Sequence, residues 1–256
     1  MKKPNKKRVL IVSVLVILCI GIWTLWGNTA IEVNEYEIVS DRIQQGFDGF
    51  RIAQVSDLHN KDFGEGYGQL LTLLSQINPD IIVVTGDLID SRQTDLDIAL
   101  EFAWQAGKIA RVYFVSGNHE ARVPEYEDLK IGLVKAGTVI LENQKVQITR
   151  EGESITIMGI DDPSFQEDYL FGDAASVTSS ALSELQNESD GYTVLLSARS
   201  VYSCACLVQI LIKKSDCTPY SPIFQRQRCK PLLEQFRFLW GFHAVISFSR
   251  LPCSAF

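Results

Sequence analysis

The chain has 256 residues and a formal net charge of −7. That is enough chain for one large domain or two small ones, and the charge has the wrong sign for holding polyanions, which excludes nucleic acid as a general partner. A hydrophobic share of 46% fits an ordinary globular fold.

Met1–Arg8 carries five positive side chains, Lys2, Lys3, Lys6, Lys7 and Arg8. The 18 residues Val9–Trp26 carry no charge. As a helix they would be about 27 Å long, close to the roughly 30 Å of a bilayer core. Trp23 and Trp26 stand where aromatic rings favour the interface, and the basic flank 1–8 is expected to stay cytoplasmic. A cleaved signal peptide is the competing reading. The region Gly27–Ala30 has no convincing small-x-small cleavage site, which favours an uncleaved single-pass anchor over 9–26. Either reading places the rest of the chain outside the cytoplasm, and the anchor reading keeps it at the cell membrane.

Ile31–Ser40 alternates loosely, as an edge strand does. Phe50–Ser56 is a first buried strand, followed by a glycine-bearing loop, Asn60–Gly68. Gln69–Ile77 has helical apolar spacing and ends at Pro79-Asp80. Ile81–Thr85 is a second strand, Asp95–Ala106 a second amphipathic helix, Val112–Val115 a third strand, and Tyr126–Ala136 a third helix stopped by Gly137. The period then falls towards two over Thr138–Leu141, Lys145–Arg150 and Ile155–Ile160. Thr178–Leu185 reads as a helix and Tyr192–Leu196 as a further buried strand.

Three strand ends break into polar tips. They carry Asp57 and His59, then Asp87, then Asn118, His119 and Glu120; Asp57 precedes Asp87 by 30 positions and Asp87 precedes Asn118 by 31. A gap of about 30 residues with a helical pattern inside is the size of one βαβ unit. Successive parallel strands present their carboxyl ends on one sheet edge, where ligands bind in open α/β sheets. Taken singly, Asp57, Asp87 and Asn118 read as helix caps or turn residues. Taken together, with two of the three histidines of the chain in the pattern, they predict a metal site. On an extended segment Asp57 and His59 share a face, and Gly86 permits a sharp turn before Asp87. Mixed nitrogen and oxygen donors suit manganese, iron or zinc. Asp90 and the Asp161-Asp162 pair read as turn or supporting residues.

The series D-x-H, G-D, G-N-H-E resembles the calcineurin-like metallophosphoesterase family, and Val55–Asn60 with Ile157–Pro163 resembles its membrane-anchored bacterial branch. The likeness covers about residues 31–197. It implies an α/β fold, an α/β/β/α sandwich, incomplete here at its C-terminal end and preceded by one transmembrane helix. It also implies two divalent metal ions, with Asp57 and His59 on the first, Asp87 bridging, and Asn118 on the second. His119 would protonate the leaving group or hold the phosphoryl group, with Glu120 orienting its imidazole. The reaction would be hydrolysis of a phosphate monoester or diester, on a small phosphorylated substrate such as a lipid head group or cell-wall phosphate.

The pattern stops at Ser197. A family member would continue Leu-Leu-Ser-His and later Gly-His-x-His; here Ser197 is followed by Ala198, and His243 matches neither motif. Residues 1–197 hold 29 acidic and 16 basic side chains, whereas 198–256 hold 2 and 8, with five of the six cysteines and one of the 17 glycines. The simplest account is a tail, 198–256, read out of frame; a replaced exon or a divergent tail is the rival. Three imidazoles are missing, so impaired activity is expected, or a binding module of the same fold without catalysis. A sheet short of its last strands, with an exposed edge, is expected with them. Zinc binding by Cys204, Cys206, Cys217 and Cys229 fits no common spacing.

Overall fold

The computed structural model describes residues 6–29, 31–40, 42–166, 181–185 and 191–198, and three backbone segments of the tail, 211–212, 221–222 and 245–251. Two sheets stack. The first has the order β1-β11-β2-β3-β4-β5 and the second β10-β9-β8-β7-β6.

The first sheet is built from β1 (Glu32–Glu37), β2 (Phe50–Ser56), β3 (Ile81–Thr85), β4 (Arg111–Val115), β5 (Val139–Ile140) and β11 (Val245–Leu251). Strands β2 to β5 run parallel, with Val55 opposite Val84 and Thr85 opposite Val115. Their carboxyl ends therefore finish level. Helices α2 (Gly68–Ile77), α3 (Leu96–Gly107) and α4 (Tyr126–Lys135) connect them. Asp95 caps α3 by accepting from the Ile98 N–H at 3.2 Å, which satisfies one of the free donors of its first turn.

Alternation along each strand sorts the core into two layers. Ala53, Val55, Ile82, Val84, Val112 and Phe114 face the helices. Ile52, Ile81, Val83, Tyr113 and Val115 face the second sheet, where they meet Ile155, Ile157, Val194 and Leu196. Those partners belong to β7 (Glu153–Ile160) and β8 (Thr193–Ser197), flanked by β6 (Gln144–Arg150), β9 (Leu211–Ile212) and β10 (Ser221–Pro222). The far face of the second sheet packs Met158, Ile160 and Leu195 against Leu182, in a helical segment at 181–185. The layers thus run helix, sheet, sheet, helix, as the resemblance implies. Thr178–Ser180 of the predicted helix lie outside the described residues.

Two expectations meet a different outcome. The sheet was expected to lack its last strands and to expose an edge; a backbone segment of the tail, β11, lies between β1 and β2, antiparallel to β2 and parallel to β1. Backbone pairing asks only for extended chain, and Val245–Leu251 has apolar and polar residues in partial alternation. β1 lies at one edge of this sheet, as its loose alternation suggested, and β5 at the other. At the N-terminus a helix, α1, runs over Lys6–Thr29, about 36 Å at 1.5 Å per residue. Its side chains are described as far as Ile22. Among the described residues no helix is long and apolar enough to cross a membrane, which gives the predicted anchor over Val9–Trp26 no support. The cysteines Cys204, Cys206, Cys217 and Cys229 and the residue His243 also lie outside the described residues.

Candidate metal centre

The three tips converge. Loops leaving β2 and β3 run side by side, with the Asp57 N–H donating to Gly86 O (3.3 Å), the His59 N–H to Asp87 O (2.9 Å) and the Asn60 N–H to Leu88 O (3.1 Å). Asp57, His59, Asn60 and Asp87 all take left-handed backbone, with φ of 57°, 48°, 55° and 51°. Non-glycine residues seldom adopt it, and Asn and Asp adopt it most readily. Held this way at one sheet edge, Asp57, His59 and Asp87 turn their side chains into one cleft.

Among the described residues, His59, Asp87 and His119 offer ligand atoms that all lie within 4.8 Å of one another. Asp57 joins them: its Oδ1 is 3.7 Å from His59 Nε2, which in turn is 4.0 Å from Asp87 Oδ2. The His59 and His119 rings meet edge to face with centroids 4.4 Å apart. Two imidazoles and two carboxylates so close, one of the imidazoles buried, are a donor set that fits a divalent transition ion. Asn118 stands on the same tip between Gly117 and His119, half-buried. The resemblance implies a role on substrate for His119; the geometry also puts it within ligand reach.

Asp87 is fixed by the His119 N–H, which donates to Oδ1 at 2.9 Å. Burial pushes the Asp87 carboxyl above the usual carboxylate range, and the neighbouring Asp57 adds to the rise. Burial pulls the His119 imidazole below its ordinary value, against the pull of Asp87. Both shifts favour neutral side chains in a site crowded with like groups, and a bound cation would reverse the first.

The expected pairing of Glu120 with the His119 imidazole does not occur. Glu120 is fully buried and accepts from three backbone N–H groups: Gly117 at 2.7 Å, Asp87 at 2.9 Å and Ile89 at 3.2 Å. The 3₁₀ turn Glu120–Arg122 directs it inward, beneath both tips. Burial, reinforced by Asp87, pushes its carboxyl up to about 7 although the three N–H bonds favour the anion. The imidazole of His119 is held elsewhere. Its Nδ1 accepts from the Ser91 N–H at 3.0 Å and lies 3.6 Å from Asp90 Oδ1. Asp90, read from the sequence as a turn or supporting residue, stands beside the His119 imidazole. Ser91 gave no signal, because it acts through its backbone.

Ala198 closes one wall. A Cβ placed on Gly86 would fall 2.5 Å from the Ala198 Cβ, so the end of β8 lies directly against the residue before Asp87. At this position the resemblance predicts histidine and the chain offers a methyl group.

Residues 50–197 match the family model described as calcineurin-like phosphoesterase. The chain is 28% identical over 139 residues to a transmembrane protein with metallophosphoesterase domain from Danio rerio, covering 51% of this chain and 31% of that protein. It is 42% identical over 66 residues to the metallophosphoesterase YkuE of Bacillus subtilis, covering 25% and 23%. It is 29% identical over 130 residues to YkoQ of the same organism, covering 49% and 48%. The chain thus spans less than half the length of each of these relatives.

Proposed function

We propose, since the chain belongs to the calcineurin-like phosphoesterase family, that this phosphoesterase hydrolyses a phosphate monoester or diester at the cleft formed by Asp57, His59, Asp87, Asn118 and His119. The observation that supports this most is the convergence of His59, Asp87 and His119 from three separate strand ends. Asp57 and His59 would hold a first divalent ion, Asp87 would lie between two, and Asn118 would serve the second. Such ions, when bound, polarise a phosphoryl oxygen and lower the pKa of bound water towards neutrality. The protein's own part is placement. Ser56 Oγ donates to Asp57 Oδ2 at 2.6 Å, and the His119 N–H fixes Asp87. With His119 Nδ1 taken by the Ser91 N–H, Nε2 is the nitrogen left to face ligand or substrate.

Activity is proposed to be weak, because the three imidazoles expected after Ser197 are missing from the sequence. Ala198 supports a second reading, a metal-poor binding module of the same fold. Metal content separates the two. Manganese, iron and zinc are measured in the full-length chain purified in detergent, alongside manganese-dependent hydrolysis of bis(p-nitrophenyl) phosphate. Bound metal with slow turnover, both lost in Asp87→Asn while the melting transition persists, supports the enzyme. A metal-free, inactive chain that still folds supports the module, and robust turnover refutes the proposed impairment.

We also propose a membrane anchor over Val9–Trp26, with the cleft outside the cytoplasm near lipid head groups and cell-wall phosphates. The uncharged run, the basic flank before it and the exposure of Val9, Leu10, Ile11, Val14 and Leu18 on α1 support it. Retention of the full chain in membranes after alkaline carbonate washing, and its release when residues 1–30 are deleted, are the expected outcomes.

A further inference from the structure

The loop after β3 carries the groups that face His119, and one side chain from a different strand holds that loop. The Asn60 carboxamide makes three bonds to it. Its Oδ1 accepts from the Asp90 N–H at 2.8 Å and the Asp95 N–H at 3.2 Å, and its Nδ2 donates to Asp95 O at 2.5 Å. These grip both ends of the segment 90–95. Within it, the Arg92 N–H donates to Asp90 Oδ1 at 2.8 Å and Thr94 Oγ1 donates to Asp90 O at 3.0 Å. The segment presents the Ser91 N–H and the Asp90 carboxylate to His119 Nδ1.

We propose that Asn60 is the positioning residue for the His119 imidazole, acting through the 90–95 loop. The carboxamide is what the geometry requires. It supplies one acceptor for two N–H groups and one donor for a carbonyl; Asp lacks the donor, and Ser, which has both on one oxygen, is too short to span them. It also sits at φ 55°, where Asn is tolerated and most residues are not. A Ser91 N–H aimed at Nδ1 makes that nitrogen an acceptor and leaves the ring hydrogen on Nε2, because the hydrogen bond at one nitrogen decides which tautomer forms. Asn60 therefore determines which nitrogen of His119 the cleft meets.

This rests on the reading of His119 as a working residue of the site, so the test reads the ring itself and not turnover. The full-length chain, metal-free and in detergent, is labelled with ¹⁵N-histidine, and the three histidines are assigned by single substitutions. In the unaltered protein His119 is expected to show one dominant tautomer, with Nδ1 as the acceptor. Asn60→Gly removes the carboxamide yet tolerates the left-handed backbone; mixing of the two tautomers at His119 is expected. Asn60→Asp keeps the acceptor for both N–H groups but loses the donor to Asp95 O, and is expected to mix the tautomers less than Asn60→Gly does. Should Asn60→Gly fail to fold, Asn60→Ser, too short to reach both N–H groups, carries the same expected loss. A lowered melting temperature with an unchanged His119 tautomer would reduce Asn60 to a structural clasp and overturn the proposal. Loss of the single tautomer in Asn60→Asp as complete as in Asn60→Gly would overturn it equally. A metal-free chain without phosphoesterase activity can still pass this test, so the two readings fail separately.

Discussion

Gly86 and Gly117 lie back to back at the ends of two neighbouring parallel strands. A Cβ on Gly86 would come within 2.8 Å of the Gly117 Cα, and one on Gly117 within 2.4 Å of Asp87 Oδ1. The two missing side chains are what let the tips of β3 and β4 close on each other and bring Asp87 beneath His119.

Gly117→Ala is therefore expected to displace Asp87 even though the backbone at Gly117 has no positive φ. Overpacking of this kind costs about 1–3 kcal/mol, read as a lower urea midpoint. Because the methyl group meets a proposed ligand, manganese affinity should fall as well. Calorimetric affinity equal to that of the unaltered chain would show that the tip relaxes without moving the carboxylate.

Glu120 joins the same two tips from below, and its substitutions should grade. Glu120→Ala leaves the Gly117, Asp87 and Ile89 N–H groups without their acceptor. A buried donor left unsatisfied costs about 1–3 kcal/mol, so a loss above about 3 kcal/mol is expected from the three. Glu120→Gln retains one oxygen and relieves the repulsion from Asp87, and should cost much less. Equal urea midpoints for the two variants would contradict the latch.

The strands were legible because their chemistry is local. Phe50–Ser56 and Ile81–Thr85 are short apolar runs bounded by turn residues, and both match their observed limits. Their tips and that of Arg111–Val115 carried Asp57, His59, Asp87 and His119 at a βαβ spacing, and parallel register brings those together. What escaped the sequence acts through backbone or through burial. Ser91 contributes an N–H that any residue but proline would supply. Asn60 looks like a loop residue until the partners of its carboxamide are known. The resemblance paired Glu120 with His119, but one 3₁₀ turn sends the two side chains apart. The strand Val245–Leu251 was obscured by the change of composition after Ser197, which says nothing about backbone pairing.

Asp161 carries the pH dependence away from the cleft. It accepts from Ser116 Oγ at 3.1 Å and Asn143 Nδ2 at 3.0 Å, tying β4 to the end of β7. Burial pushes its carboxyl up to about 6, from 3.8, and the Glu142 carboxylate adds to the rise. The folded state thus keeps a proton that the unfolded state has released. This contribution favours folding at low pH, declines as pH rises from about 4, and is lost above about 6. Asp161→Asn preserves both bonds, since the Ser116 hydroxyl can accept as readily as donate. The variant should be more stable than the unaltered chain at pH 7.5, by about 1–2 kcal/mol once solvent screening is allowed for. The gain should vanish at pH 4. A difference between the two chains that does not change with pH would remove Asp161 as its source.

Ala198 allows the missing-imidazole account to be tested by addition. It is half-buried at the end of β8 and lies against Gly86, immediately before Asp87. The resemblance places histidine here. The flanking strand is already in position, because Leu196 pairs with Gly159 and Ser197 with Ile160. Ala198→His therefore asks the backbone for nothing new; it adds an imidazole beside an existing cluster of two imidazoles and two carboxylates. A ligand that binds metal directly should change affinity by about ten-fold or more, since outer-sphere partners alone command that much. Tighter manganese or zinc binding is expected, together with a metal-dependent rise in melting temperature larger than in the unaltered chain, because an ion that binds only the folded state stabilises it by mass action. Unchanged affinity in a folded Ala198→His protein would mean that the end of β8 does not face the metal cleft, and the weakness of the site would need a different cause.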